Sequence, residues 1–547
     1  MKIMVVRKII ISLAVLLSAG GFRGAEAQVR PPRLVVNIVV SQMRYDYLER
    51  FNANFGTGGF RRFEIDGMSF PRSYYDYMQT TTPVTLSTLA TGADPAVHGV
   101  VGERWTDYVA GRRIRLIEDT GVRGIECDAG VGQYSPAHLF APTLSEAVEG
   151  SASAGRAVTI AADPMSAIVL GGHSKEVYWL DPTRCTWVSS SAYMDALPGW
   201  VSRYNATKPG MQFLGYHWVP SLAGGRSYVN SRATAVDTSG SRSRSSASGR
   251  GKDYAGVLRT PAGNTLVAEF AKQAVTFAEL GRDEKTDLLN ICFDTPRYVG
   301  ELYGGESMET EDMFYRLDQE IADLLNYIFA VVPEREVVVV LTSDHGASDS
   351  FDAAVPNRER FNADQFRVIV NGYLSAQYGQ DNWILDFTDR QIYLDRDLIA
   401  ARGLSLEEVR NRVADFALRF RGVSHALTHT AMTGSYFGSS YGLKMQNGFF
   451  PKRSGDVTIN LMAGWIVEQE GLRSQSGSMY DYDTHVPLMF LGGGIPAGTV
   501  REPVDMTAVA PTLAYIMHIE RPAAATAQPI DAVERALGGR PDGTERK

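Results

Sequence analysis

Three short runs of uninterrupted apolar residues constrain this chain more than anything else in it. Arg33 to Val40 (RLVVNIVV), Glu336 to Leu341 (EVVVVL) and Val486 to Leu491 (VPLMFL) are each too short for a buried helix and lack the alternation of a half-exposed strand. Continuous β-branched runs of this length belong to strands covered on both faces. Helical stretches separate them, such as Gln42 to Phe55, where Tyr45, Leu48 and Phe51 share a face. The pattern predicts an α/β fold: a mainly parallel central sheet with helices on both faces and with cap insertions. Such sheets bind ligands at the carboxyl ends of their strands, so the polar residues after these runs are the first to inspect.

The start of the chain reads differently. Lys2, Arg7 and Lys8 precede an apolar run from Ile9 to Gly21, and Ala25-Glu26-Ala27 forms a small-x-small cleavage site. Residues 1–27 therefore read as a secretory signal peptide, which predicts a periplasmic or secreted protein. No other run approaches the roughly 18 apolar residues that a membrane span needs. Of the 547 residues 44% are hydrophobic, and the net charge is −8, which argues against a nucleic-acid binder. Cys127, Cys185 and Cys292 match no metal-binding spacing, and their odd number leaves at least one unpaired. Residues 28–537 read as one domain with insertions at about 105–285 and 350–475. Within the first, Gly240 to Lys252 (GSRSRSSASGRGK) reads as a solvated loop, and 538–547 as a disordered tail.

Taken singly, the polar candidates carry little. Thr82 precedes Pro83 and an apolar stretch ending at Thr91-Gly92, which suits a helix N-cap. A hydroxyl at that end of a helix is placed to attack a phosphate, although taken alone a plain capping threonine is the better account. Asp344-His345-Gly346 follows the run VVVVLTS, where a carboxylate and an imidazole at a strand end would suit Zn²⁺. A structural Asp-His turn would look the same. His485 opens the third run, in Asp483-Thr484-His485-Val486-Pro487.

Taken together and in order, these pieces resemble the alkaline phosphatase superfamily. The likeness is strongest to its periplasmic phosphomonoesterases and nucleotide pyrophosphatase/phosphodiesterases. It runs from about Leu34 to Leu513 through VVSQMRYDYL, His98-Gly99, Asn264-Thr265, LTSDHGA, KRSGDV, DTHVPL and DMTAVAPTLA. The resemblance implies two Zn²⁺ ions flanking a nucleophilic threonine. It assigns the nucleophile to Thr82, with Thr81 as a second candidate, and retained metal ligands to Asp344, His345 and His485.

The same resemblance exposes departures. Ser41 stands where the family motif has an aspartate, and in Pro296-Arg297-Tyr298-Val299-Gly300-Glu301 the aspartate and histidine ligands have become Arg297 and Glu301. The phosphate-binding asparagine, lysine and arginine correspond to Glu103, Asp163 and Met165. A guanidinium about 4 Å from a divalent ion costs about 8 kcal/mol at an effective dielectric of about 20. Arg297 is therefore expected to occupy the vacated position, paired with Asp344 or Glu301.

The resulting expectation is a catalytically inactive binding or scaffold protein with no resident cofactor and an unknown ligand or protein partner. The alternative is an active phosphomonoesterase or phosphodiesterase with Thr82 as nucleophile and one Zn²⁺ held by Thr82, Asp344 and His345, with Ser41 as a weak ligand. A sulfatase is set aside, because no arginine follows Pro83 in the required pattern.

Overall fold

The computed structural model describes residues 30–538 except 129–130, 215, 223–226, 231–243, 246–255, 352–357 and 439. The segment read as a leader and the tail beyond 538 lie outside the described residues. So does the stretch 240–252, apart from Arg244–Ser245, which pair antiparallel with His217–Trp218.

Strands Leu34–Val40 (β1), Ala154–Ala161 (β2), Glu176–Asp181 (β3), Thr286–Phe293 (β4) and Val337–Thr342 (β5) form the middle of the main sheet. Their order in space is β5, β1, β4, β2, β3, all parallel. Every residue of β1, β4 and β5 is buried, as the apolar runs of β1 and β5 require; β4 buries Thr286, Asp287 and Asn290 as well. Because β2 and β3 belong to this sheet, the chain between 105 and 285 supplies core strands as well as loops.

The third apolar run departs from its simplest reading. Leu488–Gly492 joins the sheet antiparallel to β5, while His485–Val486 pair with Ser73–Tyr74 in a separate three-stranded sheet. Pro487 divides the two pairings, and its lack of an N–H suits that break.

Alternate residues of β1 point to opposite faces, so Leu34, Val36, Ile38 and Val40 build one core while Val35 and Val39 build another. Helices cover both. The region after β1 is helical only over Asp46–Phe51 (α1), followed by a 3₁₀ turn at Asn52–Asn54. Thr82–Thr91 (α2) and Pro164–Gly171 (α3) pack on the Val35 face. Ala262–Phe277 (α4) packs on the Val36 face. Thr295–Tyr303 (α5) begins two residues after β4, and Met308–Val331 (α6) packs beside α4 on the Val36 face.

A second, smaller sheet is built from Ile384–Thr388 (β6), Gln391–Leu394 (β7), Val423–Thr428 (β8) and Val457–Leu461 (β9), in the order β6, β7, β9, β8. Helices Ala363–Tyr378 (α7) and Leu406–Ala417 (α8) cover it with a core of its own. Asp456, fully buried, fastens this lobe. Its carboxylate accepts from Arg410 Nη2 at 2.6 Å, Arg396 Nε at 3.1 Å and the Leu394 N–H at 3.0 Å. It also takes the hydroxyl of Tyr108 from the hairpin Arg104–Asp107/Arg112–Arg115. Arg104 to Thr388 and Arg113 to Asp386, both at 2.8 Å, tie that hairpin to β6. The hairpin and the small sheet thus close over the carboxyl ends of the main strands.

Removing Asp456 strands two arginines in a buried site. Asp456→Ala should therefore cost about 3–5 kcal/mol in urea unfolding, with Arg410→Ala costing less because the carboxylate keeps its other donors.

Candidate functional site

Asp344 stands two residues past β5 and is fully buried. Its Oδ2 accepts from Ser41 Oγ at 2.8 Å, and its Oδ1 from the N–H groups of Gln42 at 2.9 Å and His345 at 2.7 Å. Ser41 and Gln42 directly follow β1, so one carboxylate binds the ends of two neighbouring central strands. Gln42 sits at φ 63°, a left-handed backbone that brings its N–H to this carboxylate.

Helix α2 supplies the hydroxyl. Thr81 is the N-cap, with extended φ −100° and ψ 155°, and Thr82 is the first helical residue, with Pro83 next. Thr81, not Thr82, thus occupies the N-cap position, although its side chain makes no capping hydrogen bond, and the Thr82 side chain reaches into the site. Thr82 Oγ1 lies 3.0 Å from His345 Nε2. The other ring nitrogen, Nδ1, lies 2.7 Å from the Gly346 carbonyl oxygen. Donation from Nδ1–H to that carbonyl leaves Nε2 as the acceptor for the Thr82 hydroxyl. Ser476 Oγ lies 3.5 Å from the same Nε2.

His485 is not part of this group. Its ring is stacked between Tyr45, at 4.4 Å, and Tyr74, at 4.5 Å, and its Nε2 faces the Pro71 carbonyl oxygen at 2.8 Å. Both faces and the polar edge of the ring are used by packing, so the expectation of a retained metal ligand there is corrected. Burial lowers its pKa, which keeps the imidazole neutral in that stack. The segment before the third apolar run does reach the site, but through Ser476.

Arg297 enters the site and forms the expected ion pair with Glu301, but its closest partner is Asp163. Its Nη2 donates to Asp163 Oδ2 at 2.6 Å, whereas Glu301 lies 3.8 Å from Nη1 and no contact to Asp344 forms. The reason is local: α5 and α3 both begin at this end of the sheet, and Asp163 caps α3 by accepting from the Met165 N–H. Tyr298 Oη donates to the same Asp163 oxygen at 2.7 Å, and its ring lies 4.5 Å from the guanidinium carbon. Beneath the pair, buried Asp294 accepts from the Asp163 N–H at 2.9 Å and from Ser166 Oγ at 2.5 Å. Burial, and then the Asp163 charge, push the Asp294 carboxyl above its ordinary range. Burial likewise raises Glu301, against the opposing pull of Arg297 and His345.

These side chains line one cleft of about 650 Å³ between the main sheet and the smaller lobe. Thr82, Arg297, Glu301, Asp163, Met165 and Glu103 all face it, so the three positions that the resemblance matched to phosphate-binding residues share one wall with Thr82. Asp344 and His345 lie just beneath, fully buried. Sequence reasoning missed Ser476, Asp389 and Arg390. Asp389-Arg390 is a two-residue turn between β6 and β7, signalled by the flanking runs LDFT and QIYL but lacking the usual glycine. Cys127, Cys185 and Cys292 are all free thiols, the last two buried.

The family model for type I phosphodiesterase / nucleotide pyrophosphatase matches residues 35–483. The chain is 30% identical over 536 residues to the alkaline phosphatase PafA of Elizabethkingia meningoseptica, covering 95% of this chain and 98% of that protein. It is 30% identical over 550 residues to the alkaline phosphatase PhoV of Synechococcus elongatus, again with 95% and 98% covered. The crystal structure of wild-type PafA superposes with a TM-score of 0.83 at 29% identity, covering 92% of this chain and 99% of the other. No helix among the described residues is long and apolar enough to cross a membrane.

Asp163→Ala leaves the half-buried guanidinium of Arg297 without its closest partner, with only Glu301 at 3.8 Å remaining. It should lower stability by about 3–5 kcal/mol by chemical unfolding, and the double change Asp163→Ala/Arg297→Met should recover most of that loss.

Proposed function

The chain belongs to the type I phosphodiesterase / nucleotide pyrophosphatase family of the alkaline phosphatase superfamily, and on that premise we propose that its cleft binds a ligand beside Thr82 without two-metal phosphoryl transfer. The Arg297–Asp163 ion pair at 2.6 Å carries this reading. It puts a fixed cation on the wall of the cleft and uses up a carboxylate there. The Zn²⁺ pair that the superfamily resemblance implies does not fit the remaining donors. Among the described residues no three His, Cys, Asp or Glu side chains converge in a way that could hold a metal ion. Ser41 and Ser476 offer neutral hydroxyls beside Asp344 and His345, and hydroxyls are poor substitutes for carboxylate and imidazole. The basic, apolar start of the chain supports export to the periplasm or beyond as part of the same proposal.

A second reading, an active phosphomonoesterase or phosphodiesterase with a reduced metal site, has the support of the relatives. Those named above are alkaline phosphatases matched over nearly their whole length. Thr82 also keeps its place at the start of α2, with its hydroxyl on His345. In that reading Asp344, His345 and Ser41 would hold one Zn²⁺, which would supply Lewis-acid charge to an ester oxygen. Thr82 would be the nucleophile.

Metal analysis and turnover separate the two. After purification in added Zn²⁺ the native chain should carry substoichiometric zinc and hydrolyse neither an aryl phosphate monoester nor a diester above the Thr82→Ala background. Zinc-dependent hydrolysis abolished by Thr82→Ala would establish the second reading instead. The combined change Ser41→Asp, Arg297→Asp, Glu301→His and Ser476→His should raise zinc content, since it restores charge and imidazole around Asp344 and His345.

A further inference from the structure

From the way the chain passes over His345, we infer that Ser476 and Gly477 form a two-residue flap between the cleft and the imidazole, and that Arg390 of the smaller lobe is its latch. Such a device governs access to the site whichever chemistry is done there, and so goes beyond the function proposed above.

The cleft ends on Thr82, Ser476 and Gly477, whereas His345 behind them is fully buried. Ser476 Oγ, 3.5 Å from His345 Nε2, and Thr82 Oγ1, at 3.0 Å, fill the approach to the ring from that side. On either side of the pair the chain is clasped to the main frame. Before it, the Gln475 carbonyl accepts from the Ser348 N–H at 2.9 Å, and the Gln475 N–H donates to Ser348 Oγ at 3.1 Å. After it, the Ser478 N–H donates to Asp483 Oδ2 at 2.7 Å, and the Ser478 carbonyl accepts from Thr80 Oγ1 at 2.7 Å. Among the described residues, Ser476 and Gly477 themselves make no backbone–backbone hydrogen bond. Moving these two residues therefore requires no strand or helix to open.

Arg390 holds them instead. It stands at φ 62° in the Asp389-Arg390 turn between β6 and β7, and only 7% of it is exposed. Its Nη1 donates to the Gly477 carbonyl, and its Nη2 to the Ser476 carbonyl at 3.3 Å. Both acceptors are neutral, unlike the carboxylate that holds Arg297 at 2.6 Å, so this guanidinium is the more easily released. Gly477 supplies the hinge. Its φ of 98° lies in a region that residues with side chains rarely adopt, and a Cβ there would meet Thr81 Cγ2 at 3.1 Å and Arg390 Nη1 at 3.6 Å. Because Arg390 belongs to the smaller lobe, a shift of that lobe away from the main sheet draws the latch off the flap and opens His345 to the cleft.

Alkylation of Ser476→Cys by iodoacetamide, followed peptide by peptide by mass spectrometry on the full chain, tests this. With the latch intact, labelling should be slow and insensitive to sub-denaturing urea, because opening two residues exposes little surface. Arg390→Met should speed it about tenfold or more, Arg390→Lys less, and Gly477→Ala should also speed it with Arg390 in place. Ser474→Cys, at a fully buried position on the clasped side, is the control for general loosening, and its labelling should change less than about twofold. If Arg390→Met fails to fold, the comparison with Gly477→Ala decides alone. Fast labelling of the latched protein, or a urea dependence as steep as that of global unfolding, would overturn the inference. So would equal acceleration at both reporter positions, or no acceleration by either Arg390→Met or Gly477→Ala.

Discussion

The carboxylate of Asp344 is the constraint on which the site depends. It is fully buried, and it stays satisfied only because it accepts from Ser41 Oγ and from the N–H groups of Gln42 and His345. Those donors come from the ends of two adjacent parallel strands, so the charge can be accommodated only where β1 and β5 terminate side by side. Charge-assisted bonds of this kind hold both strand ends in register and present the imidazole of His345 to the start of α2. The Thr82–His345 contact follows from that placement.

A second, half-buried charge system sits one strand away. Arg297 is compensated by Asp163, while Asp294 beneath them accepts from the Asp163 N–H and the Ser166 hydroxyl and is pushed up by burial and then by the like charge of Asp163. Buried pairs of this type contribute little net stability but are costly to break from one side. The arrangement therefore resists piecemeal change. A site that exchanges a metal ligand for an arginine needs a carboxylate nearby to keep the guanidinium paired. Asp163, standing where the resemblance expects a phosphate-binding cation, provides it.

Much of the fold was legible because its signal is local. Uninterrupted apolar runs mark strands buried on both faces, and β1 and β5 emerged where those runs lie. The third run was harder to read, because parallel and antiparallel strands share a composition and differ only in the direction from which the chain returns. The positions of Ser41, Thr82, Asp344, His345, Arg297 and Glu301 could be anticipated from motif order. The i,i+4 pairing of Arg297 with Glu301 along α5 could also be anticipated, but its closer partner Asp163 could not, because a different helix brings it in.

His485 marks the boundary most clearly. In sequence it stands beside a buried strand, as a ligand would, yet two tyrosine rings and a carbonyl occupy its faces and edge. Ser476, nine residues earlier and unremarkable in sequence, is the residue that approaches His345. The sequence by itself determined the fold class, the family and which residue types are missing from the site, because strand periodicity and motif order depend on near neighbours along the chain. Only the tertiary structure decided which side chains meet and which charges pair. Those outcomes are set by distances between segments hundreds of residues apart, and a one-dimensional pattern does not encode them.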